Sequence, residues 1–257
     1  MSFLEILVVV LGLMWGSFLS VVIWRLDDWR SISTGRSKCV HCDKPLPWYD
    51  LIPLVSYGLL RGRCRQCRQR ISALYPVLEI VSAALFVLLY SRFGVSWEAG
   101  LLLLVFSTMI VTFGYDAVHL LIVDQVVWVG LVLAAGWQLQ RIAATGDWRG
   151  AGLLVVWGLL LGAGIPLVLV LLGRGQWMGE GDVMLGLLAG VLLGYPNVLV
   201  AYFAAFLVGS IYGIGLIILA RKKVRDAVPF APFLVVGSML AFFYGTEIVN
   251  WYTGIGA

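Results

Sequence analysis

Residues 151–172 read AGLLVVWGLLLGAGIPLVLVLL, twenty-two positions without one charged side chain. As a helix the stretch is about 33 Å long, enough to cross a hydrocarbon core of about 30 Å. It is apolar all round, so it has no face to offer to water. The composition of all 257 residues agrees: 61% are hydrophobic and only 12% charged. A soluble domain carries about 25% charged residues. A soluble enzyme, a disordered chain, a collagen and a coiled coil are thereby set aside. The expected fold class is an all-α polytopic membrane protein.

Working outward from 151–172, similar runs occur at 3–24, 73–91, 99–115, 119–139, 183–195, 198–220 and 230–250, so about eight transmembrane helices are expected. The first run is not read as a cleavable signal, because Glu5 sits where a basic n-region belongs and no Lys or Arg precedes it. With the N-terminus outside, the inside segments 25–72, 173–182 and 221–229 hold 15 of the 18 Lys and Arg residues. Only Arg92, Arg141 and Arg149 remain outside, a strong positive-inside asymmetry. Both termini are then expected on the periplasmic side. The expected organisation is a first transmembrane helix (1–24), a cytoplasmic loop domain (25–72) and a seven-helix membrane core (73–257).

All four cysteines fall in the loop, as Cys39-Val-His-Cys42 and Cys64-Arg-Gln-Cys67. Two CxxC knuckles about 20 residues apart are a tetrahedral zinc pattern. Disulfides are the competing reading, and a reducing cytoplasm counts against them. A loop this short builds little core, so a structural Zn2+ on Cys39, Cys42, Cys64 and Cys67 would supply folding energy. His41 is read as a bystander. The loop also carries ten basic and four acidic residues. Arg61, Arg63, Arg65, Arg68 and Arg70 are assigned to the anionic headgroups of the adjacent bilayer rather than to nucleic acid, which would ask for more interleaved aromatic surface.

Ionisable groups in or beside apolar spans are candidates for function because burying them is costly. They are Glu5, Glu79, Asp116, Asp124, Asp182 and Glu247. Glu5 and Glu247 are read as interfacial, and Glu79 as facing a polar cavity or capping a neighbouring helix. Asp116 ends the third run and Asp182 opens the sixth, both on the cytoplasmic side. The sixth run is about 20 Å long, so its start is expected to be recessed. The approach to it is Gly179-Glu180-Gly181-Asp182, whose glycines leave room for an extended chain to come close. Two carboxylates brought together can share a proton, the ionised one activating water and the protonated one polarising a carbonyl. Taken alone, the same acids could simply cap helices.

Several blocks together resemble the type IV prepilin peptidase family. They are Gly16–Arg25 (GSFLSVVIWR), the paired CxxC knuckles, Trp48–Pro53 (WYDLIP), Leu60–Cys64 (LRGRC), Ile71–Glu79 (ISALYPVLE), GEGD at 179–182 and Pro229–Leu234 (PFAPFL). The blocks run in family order across nearly the whole chain. Carried over by position, the catalytic aspartates are Asp116 and Asp182, with Gly179, Gly181 and Asp124 as motif support. Val123 stands where the family usually has proline, Asp27 likewise, and Ser20 and Asp50 stand where asparagine is frequent. The resemblance implies a multifunctional enzyme of the bacterial inner membrane, serving type IV pili or type II secretion. It implies an aspartic endopeptidase that removes the basic leader of prepilins or pseudopilins after a glycine. It also implies N-methylation of the new terminus with S-adenosylmethionine, for which no residues are assigned. The competing function is an ion-coupled transporter or channel using the same carboxylates.

Overall fold

The computed structural model describes residues 3–27, 30, 35–219 and 228–254, and among them it is helical apart from two isolated β-bridges. The chain forms two compact units, Met1–Leu103 and Leu104–Ala257.

In the first unit, α1 (Phe3–Trp24) pairs with α3 (Leu74–Phe93). Gly12 and Gly16 lie one turn apart on α1, and a Cβ on either would stand 2.6 Å from the Cα of Ala83 or Glu79 on α3. Lipid tails are as apolar as leucine, so close backbone packing through small residues is what joins such helices. Trp24 stacks on Tyr75 with centroids 6.0 Å apart, where the linker leaves the pair. The linker contains a 3-10 turn (Trp48–Leu51) and the short helix α2 (Val55–Leu59).

Helix α4 (Trp97–His119) leads into the second unit, followed by α5 (Asp124–Thr145), α6 (Gly150–Leu172), α7 (Glu180–Leu193), α8 (Asn197–Ile218) and α9 (Ala231–Thr253). Helices α6 and α7 meet through facing glycines. A Cβ at Gly158, Gly162, Gly186 or Gly190 would collide with the opposite backbone at 2.2–2.5 Å. Pro166, inside α6, cannot donate to the carbonyl of Gly162 four residues earlier. That orphaned carbonyl accepts the Tyr202 hydroxyl instead, from α8. The core between α4, α5 and α9 is aromatic, with Phe106, Trp137, Phe242 and Phe243 in mutual contact.

Seven of the helices are long and apolar enough to cross a membrane. The eighth expected span, α7, is a helix of only 14 residues and is not among the seven. It ends inside the bundle, where its last carbonyls need partners. The Gln138 amide from α5 donates to the carbonyls of Val191 and Leu192 at 2.9 and 3.0 Å. The Tyr195 N–H goes to Leu154 on α6.

Two expected boundaries are corrected. The third run does not stop at 115, since α4 continues to His119 and holds Asp116 in its last turn. The fourth run does not begin at 119, because residues 120–123 are a non-helical link and α5 starts at Asp124. Leu-Leu-Ile-Val in that link has the hydropathy of a span, but Leu120 takes a positive φ of 54° that breaks the helix. The basic cluster Arg221, Lys222, Lys223 and Arg225, used in the orientation argument, lies outside the described residues.

Candidate functional site

Asp182 owes its place to the start of α7. Gly179 is the N-cap in extended conformation, and Asp182 is the third helical residue. Its Oδ2 accepts the Gly179 N–H at 3.1 Å, while the Asp182 N–H donates to the Gly179 carbonyl at 3.1 Å. This is the half of a capping box in which the third residue reaches back to the cap. Asp116 is held in a parallel way by a different helix. Its Oδ2 accepts the N–H of Ala231, the first residue of α9, at 3.2 Å. Each carboxylate thus satisfies an N–H that a helix start leaves unpaired, and each faces the positive end of a helix dipole.

Both side chains are buried, with 6% of Asp116 and 8% of Asp182 exposed. They lie within electrostatic reach of each other, and the Tyr202 phenol lies within reach of Asp182. The link after α4 runs against the first turn of α7. A Cβ on Gly181 would stand 2.8 Å from that of Ile122. At Gly179 a Cβ would meet only Asp182 Oδ2, at an ordinary 3.6 Å. Of the two motif glycines, Gly181 is therefore the one required for close approach. Asp124 opens α5 in an exposed position and is not buried with the pair. Glu180 is also exposed.

An apolar groove of about 770 Å³, counted to its open mouth, adjoins the two carboxylate anchors. Met178 and Trp177 line it just ahead of Gly179, and Phe230 just ahead of Ala231; Phe206 and Phe233 complete its aromatic wall. Chemically, the arrangement offers two buried acids within electrostatic reach of each other, anchored beside a slot for an apolar chain.

The four cysteines of the first unit converge. Their sulfurs all lie within 4.8 Å of one another, and Cys39 and Cys67 Sγ are 3.7 Å apart. A tetrahedral zinc with Zn–S bonds of about 2.3 Å needs sulfurs about 3.8 Å apart. The two knuckles have the same backbone. The N–H of Cys39 donates to Lys44 and that of Cys64 to Gln69, while Asp43 and Arg68 N–H return to Cys39 and Cys64. Asp43 and Arg68 occupy the matching positive-φ corners at 52° and 60°. The Cys67 backbone N–H draws the Cys64 thiol down to about 7, toward the thiolate that a metal binds. The donor set fits zinc. The site would hold it through four sulfurs, leaving no open position for chemistry.

Of the two roles expected for Glu79, it takes the capping one, at the start of α2. Its Oε2 accepts the N–H of Leu54 at 2.8 Å, and the Ser17 side chain also hydrogen-bonds to it. It ties the linker to the α1–α3 pair. Sequence reasoning missed Gln138, Tyr202 and the Ala231 N–H. A polar Gln or Tyr in an otherwise apolar run is a readable signal, whereas a backbone donor carries none.

Comparison with known proteins follows the same division of the chain. Residues 10–93 match the bacterial peptidase A24 N-terminal domain, and residues 103–214 match the type IV leader peptidase family. A prepilin leader peptidase/N-methyltransferase of Bacillus subtilis is 33% identical over 95% of both chains. The protein of that name from Aeromonas hydrophila is 33% identical over 96% of this chain and 92% of its own. The one from Pseudomonas aeruginosa is 28% identical over 95% and 91%. No solved structure matches the chain. With nearly its whole length matched at 33% identity by two of these relatives, the chain belongs to the type IV leader peptidase family.

Proposed function

We propose that the protein is a membrane aspartic endopeptidase that removes the basic leader of type IV prepilins or pseudopilins, with Asp116 and Asp182 as its catalytic pair. The observation that carries this reading is two buried carboxylates within electrostatic reach of each other, each anchored by the N–H of a separate helix start. One carboxylate, ionised, takes a proton from water, and the other, protonated, polarises the scissile carbonyl. Gly179 and Gly181 shape the turn that presents Asp182, and Asp124 supports the motif from the start of α5. The groove walled by Phe206, Phe230 and Phe233 suits the apolar stretch that follows the cleavage point.

The protein sits in the bacterial inner membrane, with the loop 25–72 and the carboxylates toward the cytoplasm and both termini toward the periplasm. The distribution of Lys and Arg supports that orientation. The loop 25–72 binds structural zinc through Cys39, Cys42, Cys64 and Cys67, its basic residues meet anionic headgroups, and the peptidase core falls within 73–257. Methylation of the new N-terminus from S-adenosylmethionine accompanies cleavage, as the names of the relatives indicate for those proteins.

The test uses purified protein, a model prepilin and S-adenosylmethionine, with mass spectrometry of the product N-terminus. Wild type is expected to release the leader and add one methyl group. Asp116→Asn and Asp182→Asn are expected to lose cleavage while folding normally. Full cleavage by either variant would overturn the assignment, and ion flux in proteoliposomes without cleavage would favour a transporter.

A further inference from the structure

The linker between α1 and α3 has its polarity inside out. Helix α2 (Val55–Leu59) is entered through a tight turn, with Ser56, Gly58 and Leu60 N–H groups donating to Ile52, Leu54 and Ser56 at 2.9–3.1 Å. Val55 and Leu59 lie one turn apart on this helix and so share one face, and Ile52 stands just ahead of it. In a loop surrounded by water that face would turn inward. Here all three are exposed, Leu59 by 80%, and the neighbouring 3-10 turn adds Leu51 and Trp48, the latter 76% exposed. The opposite face holds the half-buried Tyr57, which donates its hydroxyl to Ile71 at 3.4 Å.

The depth of this segment follows from α3. Trp24 and Tyr75 stack where α1 ends and α3 begins, the position of an aromatic belt at a membrane surface. Glu79 is one turn further along α3, about 6 Å deeper. Its carboxylate accepts the Leu54 N–H, so the linker dips back to at least the level of the belt. Non-helical backbone there needs an internal partner, and Glu79 supplies it. Leu54 takes a φ of 58°, a conformation that its surroundings must hold in place. Beyond the apolar stripe, Arg61, Arg63, Arg68 and Arg70 are all exposed, cations suited to anionic headgroups.

We infer that residues 48–59 lie in the bilayer interface, with Trp48, Leu51, Ile52, Val55 and Leu59 among the acyl chains and the arginines among the headgroups. The segment is a float that fixes the height of the zinc loop, and Glu79 is its tether. This inference rests on the multi-pass membrane architecture and is independent of the peptidase reading, so the two can fail separately.

The test places p-benzoylphenylalanine singly at positions 52, 55 and 59, and at Tyr57 on the opposite face, in the full-length protein. The protein is reconstituted in vesicles of phosphatidylcholine and phosphatidylglycerol, irradiated, and its peptides examined by mass spectrometry. Acyl-chain adducts are expected at 52, 55 and 59, several-fold above those at 57. Absence of lipid adducts at 55 and 59, or adducts there to an added prepilin or to a second copy of the chain, would overturn it. As an independent measure, a Val55→Asp/Leu59→Asp variant with its metal content unchanged is expected to be cut by trypsin after Arg61 and Arg63 several-fold faster in vesicles. An unchanged rate counts against the float.

Discussion

At the scale of single residues, the GEGD turn separates into positions with different jobs. Gly181 makes room for Ile122, whereas Gly179 makes room for nothing closer than van der Waals contact. Gly181→Ala is therefore expected to push the 120–123 link away from α7, at a cost of about 1–3 kcal/mol. Gly179→Ala, at an extended φ of −80°, is expected to be nearly neutral. Parallel measurements of thermal stability and prepilin cleavage check the contrast; equal effects of the two substitutions would refute it. The two aspartates were legible in the sequence because charge in an apolar run is conspicuous. Their anchors were not, since the N–H of Ala231 lies 115 residues from Asp116 and no side chain announces it.

At the scale of helices, α7 is the element that most needs its neighbours. It is short, its α6-facing side is glycine, and its last carbonyls depend on Gln138. Gln138→Leu removes both donors and leaves buried carbonyls without partners, for about 1–3 kcal/mol. A fall in detergent melting temperature tests this, and Gln138→Glu, which keeps the shape but alters the donors, distinguishes lost hydrogen bonds from lost packing. The long apolar helices and the shortness of α7 could be read from apolar run length. The end of α4 and the start of α5 could not, because Leu120–Val123 looks like membrane span to any measure of hydropathy. Only the backbone turn at Leu120 shows the link.

At the scale of the whole molecule, the chain joins a multi-pass membrane bundle to a loop with too little core to fold by packing alone. The cysteine cluster compensates, and one zinc per chain is expected from metal analysis of the purified protein. Cys39→Ser is expected to lose that metal and expose the loop to protease; full metal retention by this variant would remove Cys39 from the ligand set. CxxC spacing announced the cluster in the sequence, whereas the matched turns at Asp43 and Arg68 became visible only in the fold. Helix α7 has one more effect. Its 14 residues give about 21 Å, some 9 Å less than an average hydrocarbon layer. Most of α7 is buried among α5, α6, α8 and α9, so that shortfall is bordered by protein rather than by lipid. Solvent entering from the Asp182 end of α7 then passes between protein walls, supplying the second reactant of a hydrolysis at a depth that hydrocarbon would otherwise keep dry.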